Sequence, residues 1–88
     1  MNKEFFVEIV TPEKVEFSHN ANSVTIVAST GSMSILADHA PIVATLADGP
    51  VVIYDGDTQI KRQIYGGFIE FSDNKMIILA DKIKMIPL

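Results

Sequence analysis

His19 and His39 are the only histidines of the chain. With Asp38 they could offer three ligands to zinc, but neither lies in a metal-ligand spacing such as HxxxH on a helix. Surface turn histidines are the stronger reading. Asp38-His39 also has the composition of an orienting acid beside a general base. Adjacent residues on a strand or loop point in different directions, however, and no GxSxG elbow supplies a nucleophile. Glu4, Glu8, Glu13 and Glu16 crowd the first 16 residues. Acid–base work would need two of them across a substrate cleft, whereas a solvated acidic face needs only exposure. Gly66-Gly67 has neither the GxGxxG nor the GxxxxGK[ST] context that cradles phosphate, so a bulge or tight turn between strands is the better account. The chain has no cysteine, which excludes thiolate catalysis and thiolate metal sites and leaves the redox compartment undetermined. Lys61-Arg62 with Lys82 and Lys84 forms a small basic patch, suited to an acidic partner or to keeping exposed strand edges soluble. The expectation is a protein without catalytic, cofactor or metal residues.

The elements that would carry these residues follow from composition. Isoleucine and valine number 20 against 4 leucines, a β-branched bias that fits a pleated surface better than a helix. The 88 residues, at 9.7 kDa, suffice for one domain and one core, with an expected folded surface of about 5,100 Å². No apolar run reaches the length of a membrane-spanning helix, and MNKEFFVEIV reads as a strand rather than a secretory leader. The net charge of −4 argues against binding nucleic acid through its phosphates, which needs a basic face. Charge is uneven: residues 1–60 hold two basic and eight acidic side chains, residues 61–88 five and three.

Turn signals recur at Thr11-Pro12-Glu13-Lys14, Ser18-His19-Asn20, Thr30-Gly31-Ser32, Asp48-Gly49-Pro50, Asp55-Gly56-Asp57, Gly66-Gly67 and Ser72-Asp73-Asn74-Lys75. They leave strands over residues 5–10, 15–17, 23–28, 34–36, 42–46, 51–54, 58–65, 68–71 and 76–80. The pattern is all-β, a sandwich or barrel. Asp55-Gly56 marks a hairpin of type I′. Alternation is clean in residues 23–28, where Val24, Ile26 and Ala28 share one face, and in residues 68–71, where Phe68 alternates with Glu70, so both strands should have one wet face. Residues 5–10 and 76–80 are apolar on both faces apart from Glu8; such strands must be central or covered by a partner. The tail from Lys82 alternates briefly and stops at Pro87.

The order of motifs carries more than any one of them. The strings VEIVTPEKVEFS, GSMSILADHAPIVATLADGPVVI and YGGFIEFSDNKMIILAD resemble the N-terminal domain of the epsilon subunit of F-type ATP synthases, the delta subunit of the mitochondrial enzyme. That family carries a TPE-type first turn, a GxLGILxxHAPL segment, an LxxG turn, a GGF before a late strand and a closing ILAD. The matches here are Thr11-Pro12-Glu13, residues 31–42, Leu46 to Gly49, Gly66-Gly67-Phe68 and Leu79-Ala80-Asp81, in order over about 80 residues.

The resemblance implies a flattened β-sandwich of about ten mostly antiparallel strands over residues 1–88. It implies a non-catalytic rotor subunit at the foot of the central stalk of a proton-translocating complex, without cofactor. Its partners would be the gamma subunit and the c-ring, with the catalytic head reached indirectly, at the cytoplasmic face of an energy-transducing membrane, most simply a bacterial one. By position, the c-ring side would comprise Thr30, Gly31, Ser32, Met33 and His39, and the gamma side Thr11, Ile42 and Val43. Where the family has GE(L/M)G, this chain has Gly31-Ser32-Met33-Ser34, so a carboxylate and a glycine are missing. If the second glycine position needs positive φ, Ser34 is strained by about 1 kcal/mol and the loop changes shape. Asp38 is expected to supply the charge that Ser32 does not. Family members continue into a helical hairpin that can inhibit ATP hydrolysis or bind ATP; a chain ending at Pro87-Leu88 is expected to couple rotation without it. The competing readings are a free-standing β-sandwich that binds a ligand or peptide, and a metal enzyme built on His19 and His39.

Overall fold

A computed structural model describes residues 3–86; the expected stop at Pro87 lies outside the described residues. The ten strands are β1 (Phe5–Val10), β2 (Val15–Ala21), β3 (Ser23–Ala28), β4 (Gly31–Leu36), β5 (Ile42–Thr45), β6 (Gly49–Asp55), β7 (Thr58–Tyr65), β8 (Phe68–Ser72), β9 (Lys75–Leu79) and β10 (Lys82–Met85). They form two five-stranded sheets, in the orders β2-β1-β9-β8-β5 and β10-β7-β6-β3-β4. Among the described pairings only β1 with β9 is parallel. The all-β sandwich read from the sequence is the observed fold.

Alternation places one residue in two of each strand in the core. Val7, Ile9, Ile69, Phe71, Met76 and Ile78 come inward from the first sheet, and Val24, Ile26, Ile35, Val51, Ile53 and Ile64 from the second, each at most 1% exposed. Burying one such side chain stabilises by about 1.5–3 kcal/mol. Phe5 meets the Phe71 ring edge-on, centroids 5.3 Å apart. The accessible surface, 5115 Å², agrees with that expected for a closed chain of this mass.

Several boundaries differ from the sequence reading. Ser18-His19-Asn20 is not a turn but the middle of β2, paired with residues 6–8 of β1. Polar residues fit there because β2 is an edge strand with one side facing water. Strands β4 and β6 begin earlier than expected, at Gly31 and Gly49. The Asp55-Gly56 hairpin turns on Gly56 and Asp57, with positive φ at Gly56 alone, the type II′ pattern rather than I′. The two-residue turn with positive φ at both positions is Asp73-Asn74, and it joins β8 to β9.

Gly66 and Gly67 carry the chain from the second sheet to the first, both with positive φ. A Cβ on Gly67 would overlap the carbonyl oxygen of Leu79, and one on Gly66 would overlap the Asp81 carboxylate. The glycine pair is thus a turn demanded by backbone crowding. Gly66 N–H also donates to Asp48 Oδ1 at 2.8 Å.

Strand directions gather the loops at two poles. One, the glycine pole, holds residues 11–14, 29–30, 46–48, 66–67 and 80–81; there Ser29 N–H donates to Thr45 O and Ala47 N–H to Val27 O, stitching the sheets together. The other, the clamp pole, holds Lys3, Asn22, residues 37–41, 56–57 and 73–74.

Candidate functional site

The outward halves of the strands differ between the sheets, because side chains at alternate positions share a face. Pairing registers put Val10, Val15, Leu79, Phe68 and Thr45 in one outward row of the first sheet, and Ser18, Glu8, Ile77, Glu70 and Val43 in the next. Phe6 and Lys75 follow toward the clamp pole, with the Lys75 ammonium 5.9 Å from the Phe6 ring centroid. Phe6, Phe68 and Val43 are 37%, 43% and 69% exposed. These apolar side chains gather on one face, with Glu8, Glu70 and Lys75 among them, rather than scattering over the surface.

Two recesses bracket this face. One of about 260 Å³ at the glycine pole lies among Val10, Thr11, Pro12, Phe68 and Leu79. Another of about 280 Å³ lies among Pro41, Ile42, Val43, Glu70 and Phe71 at the clamp-pole end of β5. The doubly apolar strands satisfy the first alternative expected of them: β1 and β9 are internal to the sheet, and their outward apolar side chains lie near the middle of this face.

The outward face of the second sheet is mixed but more polar. Ser23, Thr25, Ser32, Ser34, Gln59, Lys61, Gln63, Lys82 and Lys84 share it with Tyr54 and Tyr65 and with Val27, Leu36, Pro50 and Val52. Arg62 does not: it points to the inner side, its guanidinium 5.3 Å from the Phe17 ring centroid. The basic patch consists of Lys61, Lys82 and Lys84 alone.

The residues matched to the family's motifs are regrouped by the fold. Thr30 and Gly31 open β4 at the glycine pole, whereas Asp38 and His39 follow its other end, about 17 Å away along a six-residue strand. Ser32 faces outward from β4 and Met33 inward. Thr11 shares the glycine pole with Thr30, and Ile42 and Val43 share the clamp pole with His39. The two sets assigned along the sequence are thus crossed in space.

Each residue has its own setting. Thr11 is only 6% exposed; its hydroxyl donates to Glu16 Oε2 at 2.8 Å, and its N–H donates to Lys14 O at 3.0 Å, closing the first turn. Ile42 packs against the core while Val43 points out. His39 meets Phe71 edge-on at 5.9 Å, and its Nδ1 donates to Ala40 O. Ser34 lies in regular strand, not in the left-handed region, with its hydroxyl 3.0 Å from that of Thr25; the expected strain is absent because Gly31, with φ 130°, takes the turn.

Asp38 does adopt positive φ, 66°. Its carboxylate accepts from Lys3 Nζ at 2.6 Å and from Asn74 Nδ2 at 2.8 Å, and its N–H donates to Asn74 Oδ1 at 2.6 Å. These hydrogen bonds, from Lys3 first and Asn74 second, together with the Lys3 charge, hold the Asp38 carboxyl below its ordinary range, and Lys3 is raised in return. The charge expected to replace a carboxylate at Ser32 is occupied at the opposite pole, in a clamp that ties the start of the chain to two loops. Sequence reasoning missed this clamp, whose partners are 35 and 36 residues apart.

His19 and His39 are far apart: β2 and β5 are opposite edges of one sheet, with three strands between them. His19 stacks on Phe17 and stands 3.4 Å from Asp55 Oδ2. No three His, Asp or Glu side chains converge on a metal position among the described residues.

Residues 4–86 match the family described as ATP synthase, Delta/Epsilon chain, beta-sandwich domain. The ATP synthase epsilon chain of Chlorobaculum tepidum is 40% identical over 83 residues, which span 93% of this chain and 94% of that one. The epsilon chain of Bradyrhizobium sp. (strain ORS 278) is 40% identical over 77 residues, 88% of this chain but 57% of that one. This chain therefore spans little more than half the length of several curated relatives it matches. Two solved structures share the fold. A chain of the Euglena gracilis mitochondrial ATP synthase OSCP/F1/c-ring assembly superposes with a TM-score of 0.86 at 22% identity, covering 93% of this chain and 53% of that one. A chain of the Tetrahymena thermophila mitochondrial ATP synthase central stalk and c-ring does so with 0.78 at 18%, covering 96% and 68%. Sequence match along nearly the whole chain, the ten-strand sandwich and the ordered TPE, HAP, GGF and ILAD motifs agree: this chain belongs to the ATP synthase delta/epsilon family, as its β-sandwich domain.

Proposed function

We propose that the chain is a non-catalytic rotor subunit of the central stalk of an F-type ATP synthase, coupling proton flow to ATP synthesis. In this role it binds a gamma-type subunit and rests against the c-ring, peripheral to the membrane on its cytoplasmic face. The observation that carries the reading is the apolar outward face of the first sheet, in a chain whose family is that of a stalk subunit. A cross-linked pair of sheets with a filled core is stiff enough to transmit torque, and an apolar face needs a permanent cover.

Docking of gamma on this face uses Phe6, Phe68, Ile77, Leu79 and Val43, with the recess beside Thr11 at one end and that beside Ile42 at the other. The ring contact falls to a pole, where loops rather than sheet faces present themselves. Thr30, Gly31, Ser32 and Met33 at the start of β4 are the proposed ring-side residues. Asp38 and His39 reach the same ring only if contact runs along the whole of β4.

Affinity purification from detergent-solubilised membranes tests the proposal. The tagged chain should recover a gamma-type subunit and the catalytic head, and recovery of the chain alone from membranes containing an assembled ATP synthase would overturn it. The ligand-binding alternative is not favoured: the interior is filled by side chains, and the recess of about 420 Å³ among Lys3, Asn22, Leu36 and Tyr54 lies at the surface of the clamp pole.

A further inference from the structure

The basic patch is not absorbed by a gamma-binding role, since it lies on the opposite sheet. Among the described residues strand β10 ends the second sheet with only β7 as a neighbour, so one side of its backbone has no strand partner there. Its residues alternate strictly: Lys82 and Lys84 point outward with Lys61 of β7, while Ile83 and Met85 point to the inner side. Ile83 packs on the core, but Met85 is 71% exposed, the largest exposure of any big apolar side chain described. Lys82 sits 5.9 Å from the Tyr65 ring centroid. None of the three lysines forms an ion pair among the described residues, and no acidic side chain shares the outward face of this sheet within its strands.

Edge lysines alone would be read as protection against strand pairing. Protection does not explain an apolar side chain left uncovered on the other side of the same strand. A strand laid along β10 would place side chains opposite these, at about 4.5–5.5 Å between Cβ atoms. It would meet lysines on one face and Ile83 and Met85 on the other. We infer that β10 is an acceptor edge for an extended protein segment of four to six residues in which carboxylates alternate with apolar side chains. The carboxylates pair with Lys82 and Lys84, with Lys61 alongside, and the apolar residues cover Met85. Main-chain hydrogen bonds give the affinity and the alternation gives the selectivity, as in other strand additions. This goes beyond the rotor reading and stands or falls separately, because the two surfaces lie on different sheets.

The test uses the 88-residue chain and a capped hexapeptide of alternating glutamate and valine at low salt. Amide chemical shifts should move in β10 and in the facing part of β7, and Lys82→Glu with Lys84→Glu should weaken binding about tenfold or more. That double variant should instead prefer the lysine–valine peptide of the same pattern. Preserved amide dispersion shows that the variant is folded, since both lysines are exposed. Three outcomes would overturn the inference. Equal binding of a peptide with three glutamates followed by three valines would mean charge without strand pairing. Capture by anionic phosphatidylglycerol vesicles with no peptide binding would mean a membrane surface. Shifts confined to the first sheet would place the contact elsewhere.

Discussion

The two sheets are alike on the inside and opposite on the outside. Each contributes fully buried isoleucines and valines to a common core, from strands with the same period-two pattern. Outward, the first sheet shows Phe6, Val10, Val43, Phe68, Ile77 and Leu79 with Glu8, Glu70 and Lys75 among them, and the second shows mostly serines, glutamines and lysines, with Val27, Leu36 and Val52 among them. Folding requires only the inner half of each strand to be apolar. Apolar side chains on an outer half are therefore information about something other than folding, and the proposed gamma-type docking rests on them. Residues that fold the chain and residues of the proposed docking face are interleaved along each strand.

The largest expected effects concern the inner faces, where the sheets should be interchangeable. Ile78→Ala in the first sheet and Ile53→Ala in the second, both fully buried, should each cost about 2–5 kcal/mol in denaturant unfolding. A cost near zero in one sheet would break the equivalence. The outer faces should diverge. Phe68→Asp with Val43→Asp should weaken gamma-type subunit capture by about 30-fold or more while leaving the unfolding midpoint close to that of the parent chain. Thr25→Asp with Gln63→Asp on the other sheet should leave capture unchanged, and equal losses from both pairs would erase the distinction.

A smaller effect separates a turn residue from a contact residue. Thr11→Val should destabilise the fold by about 1 kcal/mol, through loss of the bond to Glu16. If capture falls instead with no change in unfolding, Thr11 belongs to the docking surface in its own right.

The smallest effect is at the exposed clamp. Asp38 is depressed in the folded state, so its contribution is present above the unfolded carboxylate range, near pH 4, and is lost as pH falls through the folded value. Lys3 is raised, so its contribution is present below the unfolded lysine value, near pH 10, and fades as pH rises through the folded one. Asp38→Asn should flatten both limbs of a stability-versus-pH curve slightly, and an unchanged curve would show that solvent screening has removed the pair's contribution.

Much of the fold was legible because β-branched runs and glycine-bearing turns are local signals. The strands over 5–10, 23–28 and 58–65 have the same limits in sequence and structure. Ser18-His19-Asn20 misled because residue type reports exposure as well as turning, and an edge strand exposes its polar residues without any positive φ. The sequence offered candidate contact residues as a list, without their geometry. Residues 30–33 and 38–39 lie close in sequence, yet the extended strand between them carries the chain from one pole to the other.

By itself, the sequence determined the all-β class, the shared face of Val24, Ile26 and Ala28, the glycine pair at 66–67 and the family, since each rests on local alternation, local backbone demands or ordered motifs. Only the tertiary structure decided which outward residues share a face, that Arg62 leaves the basic patch, and that Asp38 is held by Lys3 and Asn74. Strand order and register set these relations, and they arise from pairings such as β1 with β9 between residues nearly 70 positions apart. No local pattern of side chains encodes which distant strand becomes a neighbour.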